Sequence, residues 1–309
     1  MFENLKKIFI IFFLFSKIKF FNFENKIVVK INEEIITRYD IANEIRYLKI
    51  LNPSIQSLDN ATIEKIAKNS IIREKIKAIE IKNNTKNLKL NKKYLSELLE
   101  NIYLSINLKS IDQFEQYLLA NNLDIKFIEN KISIEAIWNE LILVKFSSKV
   151  KVNKEELKTK IEMSKNNTIK SYDLLEIVFD LPKKSELNFK YEIITNDIEK
   201  KGFSSAALIH SISGTNKLGG KLGWIDEKSI SQKIKNEIDL LNIGEYSNPI
   251  IIPGGVLILK LEDIKETKVK FDLKKEMEKL IKIETNKQLN QLSILYYNKI
   301  KKNININEL

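Results

Sequence analysis

The glycines of this 309-residue chain are confined to one stretch. All eight lie between Gly202 and Gly255, and the long segments on either side contain none. Glycine adopts a positive φ more readily than any other residue, as tight turns and strand corners require. We therefore expect mostly helix with short polar links outside this stretch, and strands with turns within it. Three of the four prolines, Pro182, Pro249 and Pro253, lie in or beside the same region.

The segment before the glycines has the spacing of amphipathic helices. It opens with a short β-branched strand at residues 26–32, after which Thr37 and Asp40 predict a capped helix start. Apolar residues then recur at helical spacing, which we interpret as a core between helices. The predicted helices contain or begin at residues 41–48, 63–79, 94–103, 114, 128–146 and 153.

The glycine-containing region predicts a compact α+β module. A strand is expected at residues 171–179, two helices at 189–201 and 203–211, and a turn at Gly219–Trp224. A helix at residues 230–241 and strands at 250–252 and 256–261 complete a small sheet covered by helices. The last segment, residues 271–302, predicts one long amphipathic helix that docks on the amino-terminal helices across the inserted module. The fold class expected is α+β.

Composition excludes several kinds of active site. The chain has no cysteine and one histidine, His210, so a disulfide framework, a Cys/His zinc site, a cysteine nucleophile and a Ser-His-Asp triad are not expected. No metal or cofactor is expected either. The pair Gly219-Gly220 lacks the rest of a phosphate-binding motif and is interpreted as a turn.

The basic charge of the chain is carried almost entirely by lysine. The formal charge is +11, but only three of the 52 basic residues are arginine. Readers of bases and phosphates favour arginine for its planar fork, so we do not expect nucleic-acid binding. A dispersed lysine surface fits a protein that attracts acidic or unfolded polypeptides equally well.

The amino terminus predicts export. Lys6 and Lys7 precede an apolar run from Ile8 to Phe15, which is too short to cross a hydrocarbon layer of about 30 Å as a regular helix. A basic stretch followed by a short apolar one is typical of a secretory signal, which we assign to residues 1–22. No A-x-A cleavage pattern follows, so an uncleaved membrane anchor remains the alternative.

The order and spacing of the glycine-region motifs carry a family resemblance. The segments GGKLGW, GEYSNP and PGGVLILKLED resemble a parvulin, the small peptidyl-prolyl isomerase domain. The whole chain, including the opening segment KIVVKINEEIITR, resembles the SurA family of periplasmic folding chaperones. The resemblance implies a signal at residues 1–22, a helical chaperone domain at 23–168, a parvulin-like domain at 169–264 and a closing helix at 265–309.

The parvulin resemblance implies an apolar cup for the proline ring beneath a small polar network. The two histidines of the family fall at Glu176 and Leu257, and its Cys or Asp falls at Ser213. Ile212 replaces an acidic neighbour, while Ile252 and Gly254 replace Ser or Thr. We therefore expect the catalytic polar network to be absent, and no residue is assigned a catalytic role.

The apolar cup is expected to survive in kind. The substrate-binding set implied by the resemblance is Leu222, Trp224, Ile230, Ile234 and Leu257. Glu176 is interpreted either as an edge or rim carboxylate or as a general base with a raised pKa. Ser213 has no base within sequence reach that would make it a nucleophile, and His210 is expected to be structural or solvent-facing.

These expectations give two functional hypotheses. The first is a periplasmic holdase for unfolded outer-membrane proteins, which uses the parvulin module to bind proline-containing or aromatic-rich segments. The alternative is an active peptidyl-prolyl isomerase that assists the folding of exported proteins. Neither hypothesis involves nucleic acid or a metal, and both predict peripheral membrane contact or none after export.

Overall fold

The computed structural model describes residues 26–84, 90–163, 168–180, 183–268 and 272–309. The predicted export signal lies outside these described residues. Two antiparallel sheets and a larger number of helices make the fold α+β. The helices are α1 Arg38–Leu51, α2 Asn60–Asn84, α3 Lys92–Ser105, α4 Ile111–Ala120, α5 Ile125–Phe146, α6 Lys154–Met163, α7 Leu187–Lys201, α8 Phe203–His210, α9 Gln232–Ile238 and α10 Leu273–Lys301. The strands are β1 Ile27–Ile31, β2 Glu34–Thr37, β3 Thr168–Phe179, β4 Lys221–Asp226, β5 Ile250–Ile252, β6 Gly255–Lys268 and β7 Ile306–Glu308.

The first helix starts where the capping residues predict. The Thr37 hydroxyl accepts a hydrogen bond from the Asp40 backbone N–H at 3.2 Å, and the Asp40 carboxylate accepts one from the Thr37 N–H at 2.8 Å. This reciprocal pair satisfies two backbone donors that a helix start leaves unpaired. It sets the direction in which α1 leaves β2, so that Ile41 and Leu48 enter the core shared with α2.

The closing helix α10 packs on the helical body, as its amphipathic pattern predicts. Trp138 of α5 is buried, its indole N–H donates to the Ser293 hydroxyl at 2.8 Å, and its ring stacks on Tyr296 at 5.8 Å between centroids. The chain then returns as β7, which pairs antiparallel with β1 and gives the three-strand order β2-β1-β7. Strand β7 is absent from the sequence prediction because three residues carry too little periodicity.

Three turns outside the glycine-containing stretch adopt a positive φ without glycine. Asn32, Asn107 and Asn122 have φ values of 49°, 64° and 57°. Asparagine tolerates the left-handed region better than other side chains because its short polar group bonds locally. Asn32 therefore turns β1 into β2 as a hairpin, where the sequence suggested one strand leading to a helix.

The second sheet has four antiparallel strands in the order β4-β3-β6-β5. The sequence predicted three, because it assigned Gly219–Trp224 entirely to a turn. In the structure the turn ends at Gly220, and β4 begins at Lys221 and pairs with β3. An irregular register at Leu222 hides the alternation by which a strand is recognised in a sequence.

The four-stranded sheet and its helices pack on the helical body. Leu208 of α8 is buried in the core formed by α1 and α2, and Arg73 donates to the Ser211 carbonyl at 3.3 Å. On another side, Gly254 lies beside Ile294 of α10. The domain boundaries stay predictions. None of the helices in the described part of the chain is long and apolar enough to span a bilayer.

Candidate functional site

The two faces of the four-stranded sheet differ in what covers them. Residues of β3 alternate between the faces, as the two-residue period of a strand requires. One face carries Ile177 and Phe179 and is covered by α7 and α8. The other, which we call the groove face, carries Leu174 and Val178 together with apolar residues of β6 and the segment around α9. Glu176 lies on the groove face between Leu174 and Val178.

The structure brings four of the five expected substrate-binding residues into one cluster on the groove face. Ile230 and Leu257 are buried in it, and Leu222 and Ile234 are partly exposed at its surface. Ile252 of β5 joins them as another partly exposed side chain. The partly exposed surface of the cluster therefore includes Leu222, Ile234 and Ile252, which pack over the buried pair.

Trp224 does not belong to this cluster, which corrects its assignment. The β3–β4 register shifts between Leu174 and Leu175, leaving Leu222 as an extra residue in β4. Trp224 consequently pairs with Asp173, whose side chain lies on the opposite face from Leu174. There its indole is 41% exposed, and the Lys265 ammonium lies 3.8 Å from the ring centroid. A bulge of this kind reverses the facing of residues in a way that sequence spacing cannot show.

The polar residues of the family are replaced, but two of the replacements meet in a hydrogen-bonded cluster, so the expected loss of the catalytic network stays a prediction. Glu176, which was considered as an edge carboxylate, lies on an interior strand of the sheet. Its Oε1 accepts hydrogen bonds from the Ser213 hydroxyl at 2.5 Å and from the Thr215 hydroxyl at 2.8 Å. The two hydroxyls are 3.2 Å apart. Two of the residues at family positions, Glu176 and Ser213, thus meet, while Leu257 contributes only apolar surface.

Burial raises the pKa of the Glu176 carboxyl above its usual range, although the hydrogen bonds from Ser213 and Thr215 act to lower it. Ser213 is buried, and its neighbour on the chain is held against β3, because the Ile212 N–H donates to the Val178 carbonyl at 2.7 Å. The Ser211 hydroxyl accepts from the Val178 N–H at 3.1 Å. These bonds fix the loop that presents both hydroxyls to Glu176.

Thr215 is a site residue that the sequence analysis did not identify. Its position two residues after Ser213 was visible, but the hydroxyl spacing alone is common in turns. The Gly219–Gly220 turn joins it to the site, because the Gly220 N–H donates to the Thr215 carbonyl at 3.0 Å and the Gly220 carbonyl accepts from the Glu176 N–H at 2.8 Å. Gly220 has a φ of 81°, and a Cβ there would overlap the Glu176 carbonyl oxygen.

His210 lies away from this cluster. Its Nε2 is 2.7 Å from a carboxylate oxygen of Asp197 on α7, and the other oxygen of Asp197 is 2.7 Å from the Lys201 ammonium. Burial is the main cause that lowers the pKa of His210, partly offset by Asp197. The histidine therefore joins α8 to α7 on the far side of the sheet from Glu176.

A separate cavity of about 150 Å³ lies between α6, α10 and the segment before α9. Its lining is mixed, with Leu157, Ile230 and Leu280 beside Lys151 and Lys287. It meets the groove face only at Ile230, and neither Glu176 nor its hydroxyl partners line it. The candidate site is accordingly the surface of the groove face beside Glu176.

Comparison with known proteins finds similar chains. Residues 174–263, which run from β3 to β6, match the Rotamase family, described as a PPIC-type PPIASE domain. Chaperone SurA of Buchnera aphidicola is 24% identical over 328 aligned positions, which cover 96% of this chain and 74% of that protein. Chaperone SurA of Pseudomonas aeruginosa is 24% identical over 164 positions, which cover 50% of this chain but only 39% of that protein.

Solved structures include similar chains. A SurA-like chaperone from Campylobacter jejuni is 16% identical, with a TM-score of 0.36 over 92% of this chain and 99% of that one. A crystallised PpiC-type peptidyl-prolyl cis-trans isomerase domain is 27% identical, with a TM-score of 0.28 over 31% of this chain and 93% of its own.

Proposed function

We propose that this SurA-like chain, which carries a PPIC-type isomerase domain, is a periplasmic folding chaperone. It holds unfolded outer-membrane polypeptides, and the groove face of its four-stranded sheet is a binding platform. This role rests on the similarity to SurA chaperones together with one feature of the site, the partly exposed apolar surface formed by Leu222, Ile234 and Ile252.

The energetics of such a surface suit reversible holding. Apolar burial contributes about 25 cal/mol per Å², so a client aromatic side chain that buries about 100 Å² gains roughly 2.5 kcal/mol. One contact of this size is weak, and several are needed for useful affinity. Further exposed apolar side chains lie on α3 and α4. They are Tyr94 and Leu104 on α3, and Ile111, Tyr117 and Leu119 on α4. Multiple weak contacts allow release without an energy source.

The charge of the chain favours encounter with clients. A formal charge of +11 attracts acidic segments and raises association rates at low ionic strength. Because lysine ammonium groups are strongly hydrated, they contribute to the encounter more than to the final affinity.

Aggregation of an unfolded outer-membrane barrel protein tests the holding role with a matched pair of variants. Ile252→Asp places a charge on the groove face, whereas Ile251→Asp places one on the same strand at a side chain that faces away and is already 52% exposed. We expect that Ile252→Asp needs about tenfold more protein for equal suppression, since it loses on the order of 1.4 kcal/mol of apolar contact. Ile251→Asp should match wild type. A wild-type chain that does not slow aggregation would contradict the proposal.

The hydrogen-bonded cluster of Glu176, Ser213 and Thr215 favours a second candidate, isomerase activity. Rotation about a prolyl bond must overcome a barrier of about 18–20 kcal/mol that arises from amide resonance. A group that donates to the prolyl nitrogen of the twisted amide lowers this barrier, and the cluster supplies hydroxyl and carboxyl groups beside an apolar cup. The cis-to-trans rate of a proline tetrapeptide tests for isomerase activity. A rate at the uncatalysed level excludes this candidate and leaves the holding role in place.

A further inference from the structure

The two oxygens of the Glu176 carboxyl have different surroundings. Oε1 accepts both hydroxyl hydrogen bonds, from Ser213 at 2.5 Å and from Thr215 at 2.8 Å. Oε2 has no hydrogen-bond partner among the residues that the structure describes. The difference bears on where a proton resides on the carboxyl. When both hydroxyls donate to Oε1, the proton of the neutral acid is carried by Oε2.

The protonation state of Glu176 therefore decides what the groove face offers. As a neutral acid, Oε2–H is a hydrogen-bond donor, whereas the ionised carboxylate can only accept. The peptide units of a client also differ in whether they offer a hydrogen-bond donor. A prolyl residue has no N–H, so the peptide unit that precedes it presents only a carbonyl oxygen. Any other residue presents an N–H as well.

We infer that Glu176 distinguishes prolyl from other residues in the backbone of a client bound on the groove face. In its protonated form, Oε2–H donates to the carbonyl oxygen of an X-Pro peptide unit. In its ionised form, Oε2 accepts from the N–H of a residue other than proline. The inference rests on the proposed function, because it requires that clients bind on the groove face.

No charged side chain on the elements around Glu176 competes for this role. Strand β6 places Leu259 directly opposite, the loop contributes hydroxyls, and the turn contributes Gly220. On α9, the Lys233 ammonium donates to the Ile251 carbonyl, and Lys235 pairs with Asp239.

Charged residues of the neighbouring strands lie on the other face. Lys221 and Lys260 both pair with Leu175, and Asp173 shares the parity of Leu175 along β3. Burial is then the dominant influence on Glu176 and raises its pKa, against the hydrogen bonds from Ser213 and Thr215 that lower it.

This contact holds a prolyl segment without turning it. A hydrogen bond to the carbonyl oxygen strengthens the partial double bond of the amide, because resonance places negative charge on that oxygen. The barrier to rotation is not lowered, so the interaction serves the holding role and is distinguishable from catalysis.

Binding of two peptides that differ only by proline or alanine at one position tests the inference on the full chain. With wild type, we expect the preference for the proline peptide to fall about fivefold between pH about 4 and about 8, the size of one net hydrogen bond. Glu176→Gln carries both a donor and an acceptor and does not titrate, so its preference should not vary with pH. Glu192→Gln, an exposed change of the same charge on α7, should behave as wild type.

A second variant separates this contact from a general effect of pH. Thr215→Val removes a hydrogen bond that stabilises the carboxylate, so the pH midpoint of the preference should rise. A wild-type preference that does not vary with pH, an unchanged midpoint in Thr215→Val, or wild-type pH dependence in Glu176→Gln would overturn the inference. Peptides that bind at no pH would overturn it too, while suppression of aggregation would still support the chaperone role.

Discussion

The helical body and the four-stranded sheet both remove carboxyl groups from water, but they treat them in opposite ways. In the helical body, Glu44 is fully buried, and its partners are the buried Lys131 ammonium and the Ser70 hydroxyl at 2.6 Å. Lys131 also contacts Glu74. In the sheet, Glu176 has two hydroxyl partners and no cation.

The difference appears in the direction of the pKa shifts. Burial alone would raise the pKa of Glu135 on α5, but the nearby ammonium of Lys77, with Lys217 and Arg73, holds it at about 2. The pKa of Glu176 is raised because no cation offsets its burial. A carboxylate paired with an ammonium group contributes to the packing of the helices. A buried carboxyl without such a partner has a perturbed pKa and can still bond to a ligand. Glu135 and Glu176 therefore differ in whether a cation accompanies the carboxyl.

The largest expected effect comes from breaking the compensated cluster. Lys131→Met leaves Glu44 and Glu74 facing each other without a cation, and we expect the free energy of unfolding to fall by about 3–5 kcal/mol. Urea unfolding measures the change. Lys126→Met, on the exposed face of the same helix, is the control and should alter stability by less than about 0.5 kcal/mol. Equal stability of the two variants would show that the helical body does not depend on its buried cation.

A smaller effect is expected at the turn beside Glu176. Gly220 and Gly223 have φ values of 81° and 72°, but only at Gly220 would a Cβ meet the backbone. An alanine at either position would carry the strain of a positive φ, which costs about 1–2 kcal/mol. Gly220→Ala should therefore destabilise the chain by roughly 1 kcal/mol or more beyond Gly223→Ala, by thermal or urea unfolding. Equal losses would mean that the turn moves away from Glu176 without difficulty.

The smallest effect tests the signs of the two pKa shifts. Because the pKa of Glu135 is lowered on folding, its contribution is present at neutral pH and is lost as the pH falls towards about 2. Glu135→Gln should lower the free energy of unfolding at neutral pH by about 1 kcal/mol, since a side chain that is 40% exposed is screened by solvent.

Glu176→Gln should respond to pH in the opposite way. The raised pKa of Glu176 makes its contribution greatest at acidic pH and weaker as the pH rises, so the glutamine variant gains on wild type towards neutral pH. Urea unfolding of wild type and both variants over a range of pH provides the comparison. Parallel responses of the two variants would contradict the assignment of opposite shifts.

Sequence reasoning reached most of the helices and the strands β1, β3, β5 and β6 because their signals are local. The Thr37–Asp40 capping pair, the apolar stripe of α10 and the Ile250–Ile252 strand each depend on residues a few positions apart. It missed β4 and β7, which depend on pairing with strands far away in the chain. It also placed Trp224 on the wrong face, since the bulge at Leu222 exists only relative to β3.

Amino-acid order by itself determined which segments bury apolar surface and where the glycine turns occur. The parvulin resemblance implied the set from which the structure assembles Leu222, Ile230, Ile234 and Leu257 into one cluster. Only the tertiary structure decided that Glu176 meets Ser213 and Thr215 and that no charged side chain accompanies them. The physical reason is that the pKa of a carboxyl and its hydrogen bonds are set by burial and by neighbours in space. Those neighbours come from segments almost 40 residues apart in the chain, brought within 3 Å by the packing of one loop against β3.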